Sequence, residues 1–460
     1  MFAPAVDRPT SARLNRDGVV LVSLFVVAFA LRWLFSDGDF SGDDAWYFYL
    51  ARTLGLEPAV RFEQPWFHIL NRPLFYLLFH FATYGGLVCF RLLACGIGAC
   101  VPVLCFRTSR LLGASFGSAL VMAAALCLQR QHLEHAAYGF PDLLAAAFAL
   151  LACAAAAQGQ ARATLWLSLG CVLCKESFVF VPLIATWIRL SSSGALARPD
   201  RWAWWTLLLP AAYVIAVTLL GAMVPGVPMQ GWSQQGLTLR HARNMWVGPE
   251  LWPFIVWLAA RRRVRILVLW LGMPVFYLLW SRLLGRGIAP WYVIGPASLS
   301  AVAASLLLDE LRSELASRRW PGRLPEAVLV VACLCLAPVP LLGLMRVRAQ
   351  VVKLAGRFPW PSAAPAVLPL LAQAQPEHLL LIDCFWAFRY SHLRGRSAPA
   401  QALWYTGPAD TERVVAAALA ADMSIVCRHT GQEPLERALL QQKLTVLLRD
   451  ERWLIARRVR

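Results

Sequence analysis

Residues 18–35 read GVVLVSLFVVAFALRWLF, and residues 36–52 continue as SDGDFSGDDAWYFYLAR. The first piece is apolar over a length that crosses a bilayer, and Arg8, Arg13 and Arg16 precede it. Basic residues ahead of a long apolar run hold that end of the chain on the cytoplasmic side. A secretory signal is the rival reading, but the run is long for one and Ser36-Asp37-Gly38 offers no small-x-small cleavage site. An uncleaved first span follows, with its N-terminus inside. The second piece therefore begins an outer loop, and it opens with adjacent carboxylates, Asp43 and Asp44, followed by the aromatic run Trp46 to Tyr49.

The rest of the chain agrees with a membrane setting. Of 460 residues 59% are hydrophobic and only 15% charged, with 20 Trp and a mean hydropathy of +0.55. A soluble chain carries about a quarter charged residues. The 44 Lys and Arg against 26 Asp and Glu give a net charge of +18. This excess is spread in small groups between apolar runs, with no basic face or aromatic signature for nucleic acid, so no nucleic-acid partner is expected.

Further apolar runs lie at about 91–106, 111–129, 142–157, 163–174, 177–190, 202–222, 247–260, 264–284, 288–307 and 325–345. Inside positions for Arg107 and Arg110, Arg162, Arg189 to Arg201, Arg261 to Arg265 and Arg312 to Arg323 require eleven crossings in all. Everything after about residue 345 then lies outside. The runs flanking Lys175 and Glu176 are short, roughly 20 Å each against a hydrocarbon core of ~30 Å. Lys175 is therefore expected below the outer surface, in a polar cavity. Residues 36–90 are expected to form an outer loop with helices lying at the interface, one opened by Ser41-Gly-Asp-Asp44 and one by Arg72-Pro73. Residues 223–246, rich in Gly and Pro, form a second outer loop.

The composition changes after residue 346. A proline-rich linker, Pro359 to Pro369, precedes an expected strand at 378–384, a helix near 411–421, a strand at 423–427, a helix near 433–442 and a strand at 444–448. The expected fold class is an all-α polytopic membrane protein over 1–345, with about eleven transmembrane helices, joined to a small C-terminal α/β domain over 346–460. No G-x-G-x-x-G accompanies the α/β order, so no dinucleotide cofactor is expected. Cys384 and Cys427 each end an expected strand of this outer domain, where a disulfide could form. Most other cysteines lie in apolar runs, and Cys171 and Cys174 make a lone C-x-x-C with no second pair.

Several residues could carry chemistry, and each has a plainer reading. Asp43 and Asp44 suit the first turn of a helix, since Ser41-x-x-Asp44 has the shape of a capping box, and they equally suit proton transfer. Asp142 after Pro141 is an ordinary helix start or a second outer acid. His132, Glu134 and His135 are weak candidates for a divalent metal. Arg72, Lys175, Arg240, His241, Arg243 and Arg286 all fall on the outer side, against the positive-inside bias. An anionic lipid phosphate would explain them, and interfacial snorkelling is the alternative.

Five short motifs in order give a family resemblance. Asp43-Asp44-Ala45-Trp46-Tyr47 with Ala51-Arg52, Asn71-Arg72-Pro73-Leu74-Phe75-Tyr76, Arg91-Leu92, Phe140-Pro141-Asp142 and Cys174-Lys175-Glu176-Ser177 resemble the pattern of the GT-C integral membrane glycosyltransferases. The branch is the one of the protein O-mannosyltransferases and the lipid A aminoarabinose transferase. Trp291-Tyr292 with Gly295-Pro296 is a looser echo. The chain departs from that pattern at Asp44, where the family has Glu, at Arg72, where it has Lys, and at Glu176, where it has Gly.

The resemblance implies inverting transfer of one sugar from a polyprenyl-phosphate donor to an acceptor hydroxyl on the outer side. Polyprenyl phosphate leaves as a stable anion, so a carboxylate base and phosphate-binding cations suffice, and no metal or other cofactor is required, although a divalent metal is compatible. Asp43 is then the expected base, with Asp44 and Asp142 positioning. Arg72, Lys175, Arg243, Arg240 and Arg286 surround the phosphate, and Tyr47, His68, Tyr76 and Tyr292 line the donor and acceptor. The partners implied are the polyprenyl-phosphate sugar, an acceptor glycan, lipid or protein, and membrane lipids. The location implied is the bacterial inner membrane, with the C-terminal domain in the periplasm. Transfer of a lipid-linked oligosaccharide would call for a peptide-recognition motif that is not found. A transporter or flippase would show repeated halves, and none is seen.

Overall fold

The computed structural model describes residues 11–36, 47–48, 50–52, 54, 65–136, 139–193, 199–223, 239–284, 290–317, 324–355, 379–382, 401–403, 405, 408–427, 433–442, 444–449 and 453–458. Each expected apolar run contains a helix. These are α1 (Ser11–Trp33), α4 (Gly86–Leu111), α5 (Phe116–Cys127), α7 (Pro141–Ala157), α8 (Ala161–Cys174), α9 (Val181–Ser193), α10 (Arg201–Met223), α12 (Trp252–Ala260), α13 (Val264–Leu284), α14 (Ile294–Ser317) and α15 (Leu324–Leu336), which is continued by α16 (Pro338–Leu354). Between them lie the shorter α2 (Pro65–Asn71), α3 (Pro73–Tyr84), α6 (Arg130–Ala136) and α11 (Leu239–Asn244).

Among the described residues, α4, α10 over Arg201–Gly221 and α14 are each long and apolar enough to cross a membrane. The chain is thus a multi-pass membrane protein. The bent pair of α15 and α16 gives a fourth such segment. The sequence reading took 325–345 as one run, but the helices meet at 48° where Pro338 follows Ala337, because proline cannot donate to the preceding turn. The run 247–260 also differs. Trp246 has a φ of 54°, residues 249–251 form a 3-10 turn, and only nine residues make α12.

Small residues set the centre of the bundle. In α7 eight alanines, from Ala145 to Ala156, are buried, and α7 packs against α4, α8, α9 and α14. Short side chains let backbones approach closely, which is how helices associate where no water drives them together. Asp309 of α14 accepts from the Ser115 and Ser118 hydroxyls, each at 2.7 Å, at the start of α5. Asp309 also accepts from the Ser115 backbone N–H, a group that a helix start leaves open.

The segments between the long helices follow from proline and glycine. Pro73 occupies the first turn of α3 with Arg72 as N-cap, as Arg72-Pro73 predicts. Tyr213 of α10 donates to the Leu70 carbonyl at 2.6 Å and fixes α2. His80 of α3 contacts the Ala51 carbonyl at 2.7 Å. Gly139, between α6 and α7, has a φ of +66°, and a Cβ there would lie 2.6 Å from the Phe90 ring. Only glycine fits this entry to α7.

The C-terminal region contains a five-stranded sheet in the order β2-β1-β3-β5-β4, built from β1 (Leu379–Ile382), β2 (Gln401–Leu403), β3 (Met423–Cys427), β4 (Leu444–Arg449) and β5 (Trp453–Arg458). β1 pairs in parallel with β2 and β3, and β5 runs antiparallel to both β3 and β4. Leu380, Ile382, Val426 and Leu454 pack against α17 (Thr411–Ala420) and α18 (Glu433–Leu440) through Val414, Ala418, Leu435 and Leu439. The expected strands at 378–384, 423–427 and 444–448 and both helices are present. β2 and β5 are additional, being short or rich in arginine. Cys384 lies outside the described residues, and of Cys427 only the backbone is described.

Candidate active site

The centre of the site is a buried pair of charges. Pro141 opens α7 and places Asp142 in its first turn, with no solvent exposure. Lys175 follows the last residue of α8, where the backbone leaves the helix at φ −157° and ψ 115°. Its Nζ lies 3.6 Å from Asp142 Oδ2, and its side chain is 1% exposed. This is a Coulomb contact longer than a hydrogen bond. Among the described residues, neither Asp142 oxygen has a hydrogen-bond donor. Buried carboxylate oxygens without donors are rare in folded proteins and mark a place where a further polar group belongs.

The next residue carries the opposite charge to the other side of the same turn. Glu176 Oε2 accepts from Arg72 Nε at 3.4 Å, with both side chains less than one-fifth exposed. Burial pushes the Glu176 carboxyl up, but the Arg72 guanidinium and Lys175 ammonium outweigh it and hold it down at about 2. Two cations and two carboxylates thus meet from three segments of chain. The sequence motifs that carry them are separated by up to about a hundred residues.

Aromatic rings wall this cluster. Arg72 lies 5.8 Å from the centre of the Tyr47 ring, which packs against Phe75, Tyr76 and Phe140. Lys175 Nζ stands 4.9 Å from the centre of the Tyr292 ring, within range of a cation–π contact. Tyr292 lies against Tyr277, whose hydroxyl is 3.4 Å from Ser177 Oγ. The structure therefore brings together Tyr47, Arg72, Tyr76, Asp142, Lys175 and Tyr292 from the expected set. It adds Glu176, Ser177 and Tyr277. Glu176 was legible only as an acid beside Lys175, and Tyr277 stands in an apolar run with nothing to distinguish it.

Arg240 and Arg243 lie on α11, and Arg243 pairs with Glu250 at 3.4 Å. His68 lies on α2 with its ring edge-on to Phe67. Asp43, Asp44 and Arg286 lie outside the described residues. His132 contacts the Ile294 carbonyl and Ser298 hydroxyl, each at 3.3 Å, Glu134 accepts from Arg130 at 2.9 Å, and His135 packs on Phe140. Burial lowers both histidines, His132 to about 3 and His135 to about 4. Their side chains take separate partners, and among the described residues no three His, Cys, Asp or Glu side chains converge as a metal site.

No family model and no curated protein matches the sequence. Solved structures do match in fold. ArnT from Cupriavidus metallidurans in the apo state is 15% identical, with a TM-score of 0.52 over 97% of this chain and 98% of that one. The same protein bound to undecaprenyl phosphate gives 0.50 over 95% and 97%. The oligosaccharyltransferase AglB from Archaeoglobus fulgidus, in complex with an inhibitory peptide and a dolichol-phosphate, is 12% identical, with a TM-score of 0.51 over 91% of this chain and 70% of that one. Both proteins are GT-C glycosyltransferases, and the chain described here has the GT-C fold.

Proposed function

We propose that the protein transfers a single sugar from a polyprenyl-phosphate donor to an acceptor hydroxyl, with inversion, on the outer face of the bacterial inner membrane. The observation that carries this reading is the buried Asp142–Lys175 pair beside Arg72 and Glu176. It stands in a fold shared with proteins solved in complex with undecaprenyl phosphate and dolichol-phosphate. In this reading the chain makes eleven crossings, which puts the cluster and the C-terminal domain on the outer side.

The acceptor oxygen attacks the anomeric carbon, the bond from that carbon to the phosphate oxygen breaks, and polyprenyl phosphate leaves as an anion. Asp43 takes the acceptor proton, helped in positioning by Asp44 and Asp142. A buried carboxylate fixed 3.6 Å from an ammonium, with neither oxygen taken by a hydrogen-bond donor among the described residues, is a well-placed acceptor for a substrate hydroxyl, which suits Asp142 to orientation. Asp43 and Asp44 stand four and three residues from Tyr47, roughly 14 and 11 Å of fully extended chain at most, and the Tyr47 ring lies beside Arg72. Arg72 and Lys175 stabilise charge growing on the phosphate, Arg286 contributes from an outer loop, and His68, Tyr76 and Tyr292 line the substrates, whereas Arg240 and Arg243 line a separate cleft and are left out of this step. No step requires a metal.

The test is transfer. Purified protein is given a polyprenyl-phosphate sugar labelled in the sugar, with membranes from a strain lacking the protein as acceptor source. Label is expected in a new product of inverted anomeric configuration. Label that remains on the donor while wild-type membranes accept it no better would remove the reading.

A further inference from the structure

A second basic feature lies among helices of which α6 and α11 contact the 290–293 turn carrying Tyr292. It is a cleft of about 740 Å³ between α6, α11 and α16, lined by Arg130, Arg240, Arg243, Asn244 and Arg346 on its polar side. Leu239, Leu342, Met345 and Ala349 form its apolar wall. Glu134 is held by Arg130 Nε at 2.9 Å and by Arg346 Nε at 3.2 Å, and Arg243 is held by Glu250. Four guanidiniums against these two carboxylates leave two positive charges unmatched, and among the described residues Arg240 has no carboxylate partner. By contrast, the cations Arg72 and Lys175 each face one carboxylate.

We propose that this cleft binds the phosphate headgroup of an anionic membrane phospholipid, a lipid other than the sugar donor, with its acyl chain along α16. Two surplus guanidinium charges match a phosphate monoester, and guanidinium forks suit its oxygens. The apolar wall decides for a lipid over free phosphate. Leu342 and Met345 are 51% and 67% exposed, and Leu341 and Leu344 beside them are as open. A row of exposed apolar side chains leading out of a basic cleft suits an amphiphile, with charge at one end and hydrocarbon along the helix. The inference does not depend on the proposed reaction, because it concerns charges that neither Asp142 nor Glu176 touches.

The experiment uses full-length protein in a zwitterionic detergent and phosphatidic acid carrying a fluorescent acyl chain. Phosphatidylcholine with the same label is the neutral control. Phosphatidic acid is expected to bind, with phosphatidylcholine weaker by about tenfold or more. Arg130→Gln with Arg346→Gln should weaken phosphatidic acid by at least about tenfold, whereas Glu134→Gln, which removes a competing carboxylate, should tighten it. Opposite signs from neighbouring substitutions cannot arise from misfolding. Equal binding to the wild type and the double arginine variant would overturn the proposal. Displacement by inorganic phosphate as effectively as by unlabelled phosphatidic acid would overturn it too, leaving a site for the free ion. Displacement by undecaprenyl phosphate that disappears in Arg72→Ala would identify the occupant as the donor and also contradict it.

Discussion

Lys175 Nζ and Asp142 Oδ2 lie 3.6 Å apart in the interior of the bundle, each side chain at 1% exposure or less. Burying two charges costs more than their attraction returns unless something else uses them. Removing either partner alone should therefore destabilise the protein by roughly 3–5 kcal/mol, read as thermal unfolding in detergent. Lys175→Met combined with Asp142→Leu should recover much of that loss while activity stays absent. A double variant that regains both stability and turnover would make the pair a packing feature.

Glu176 gives a pH prediction. Its carboxyl is held at about 2 in the folded protein, below its ordinary 4.5, so it favours the folded state above pH 4.5 and loses that contribution as pH falls toward 2. Glu176→Gln should be less stable than wild type near neutral pH by an amount on the order of 3 kcal/mol. The difference should shrink steadily below pH 4.5. A difference that is constant with pH would show that the charge on Glu176 does not matter.

The outer acids separate capping from catalysis. Asn caps a helix about as well as Asp but accepts no proton near neutral pH. Asp43→Asn should lower single-turnover transfer at saturating donor by roughly 10²-fold or more, with stability and donor binding nearly unchanged. Near wild-type turnover would pass the base to Asp44.

The arginine pattern predicts which side of the membrane each loop faces. A phosphatase fused after Arg357 should be active, because the basic inside loops require an odd number of crossings before it. An inactive fusion there, with an active cytoplasmic reporter at the same place, would move every outer residue named above to the inside.

Much of this was legible in the sequence because membrane helices announce themselves by apolar length, and prolines mark their starts. Arg72-Pro73 and Phe140-Pro141-Asp142 each open the helix they predict. Runs too short to cross on both sides of Lys175 set it below the outer surface in a polar cavity by sequence, and the structure buries its side chain to 1% exposure. Its pairing with Asp142 did not follow from the sequence, since two residues separated by a whole helical hairpin meet only through the packing of α7 on α8. The break before Pro338 and the nine-residue α12 were hidden because hydropathy reads composition and not backbone direction. Arg130 and Arg346 pair through Glu134 across more than two hundred residues of chain, a contact without any local pattern.

The most direct test of the central claim counts both products of one reaction. Wild-type protein, supplied with donor labelled separately in the sugar and in the lipid phosphate, is predicted to release one polyprenyl phosphate for each sugar transferred. Lys175→Met should lose both signals together, since Lys175 acts on the departing phosphate. Movement of intact donor across the bilayer without release of polyprenyl phosphate would contradict the account, as would full release and transfer by Lys175→Met.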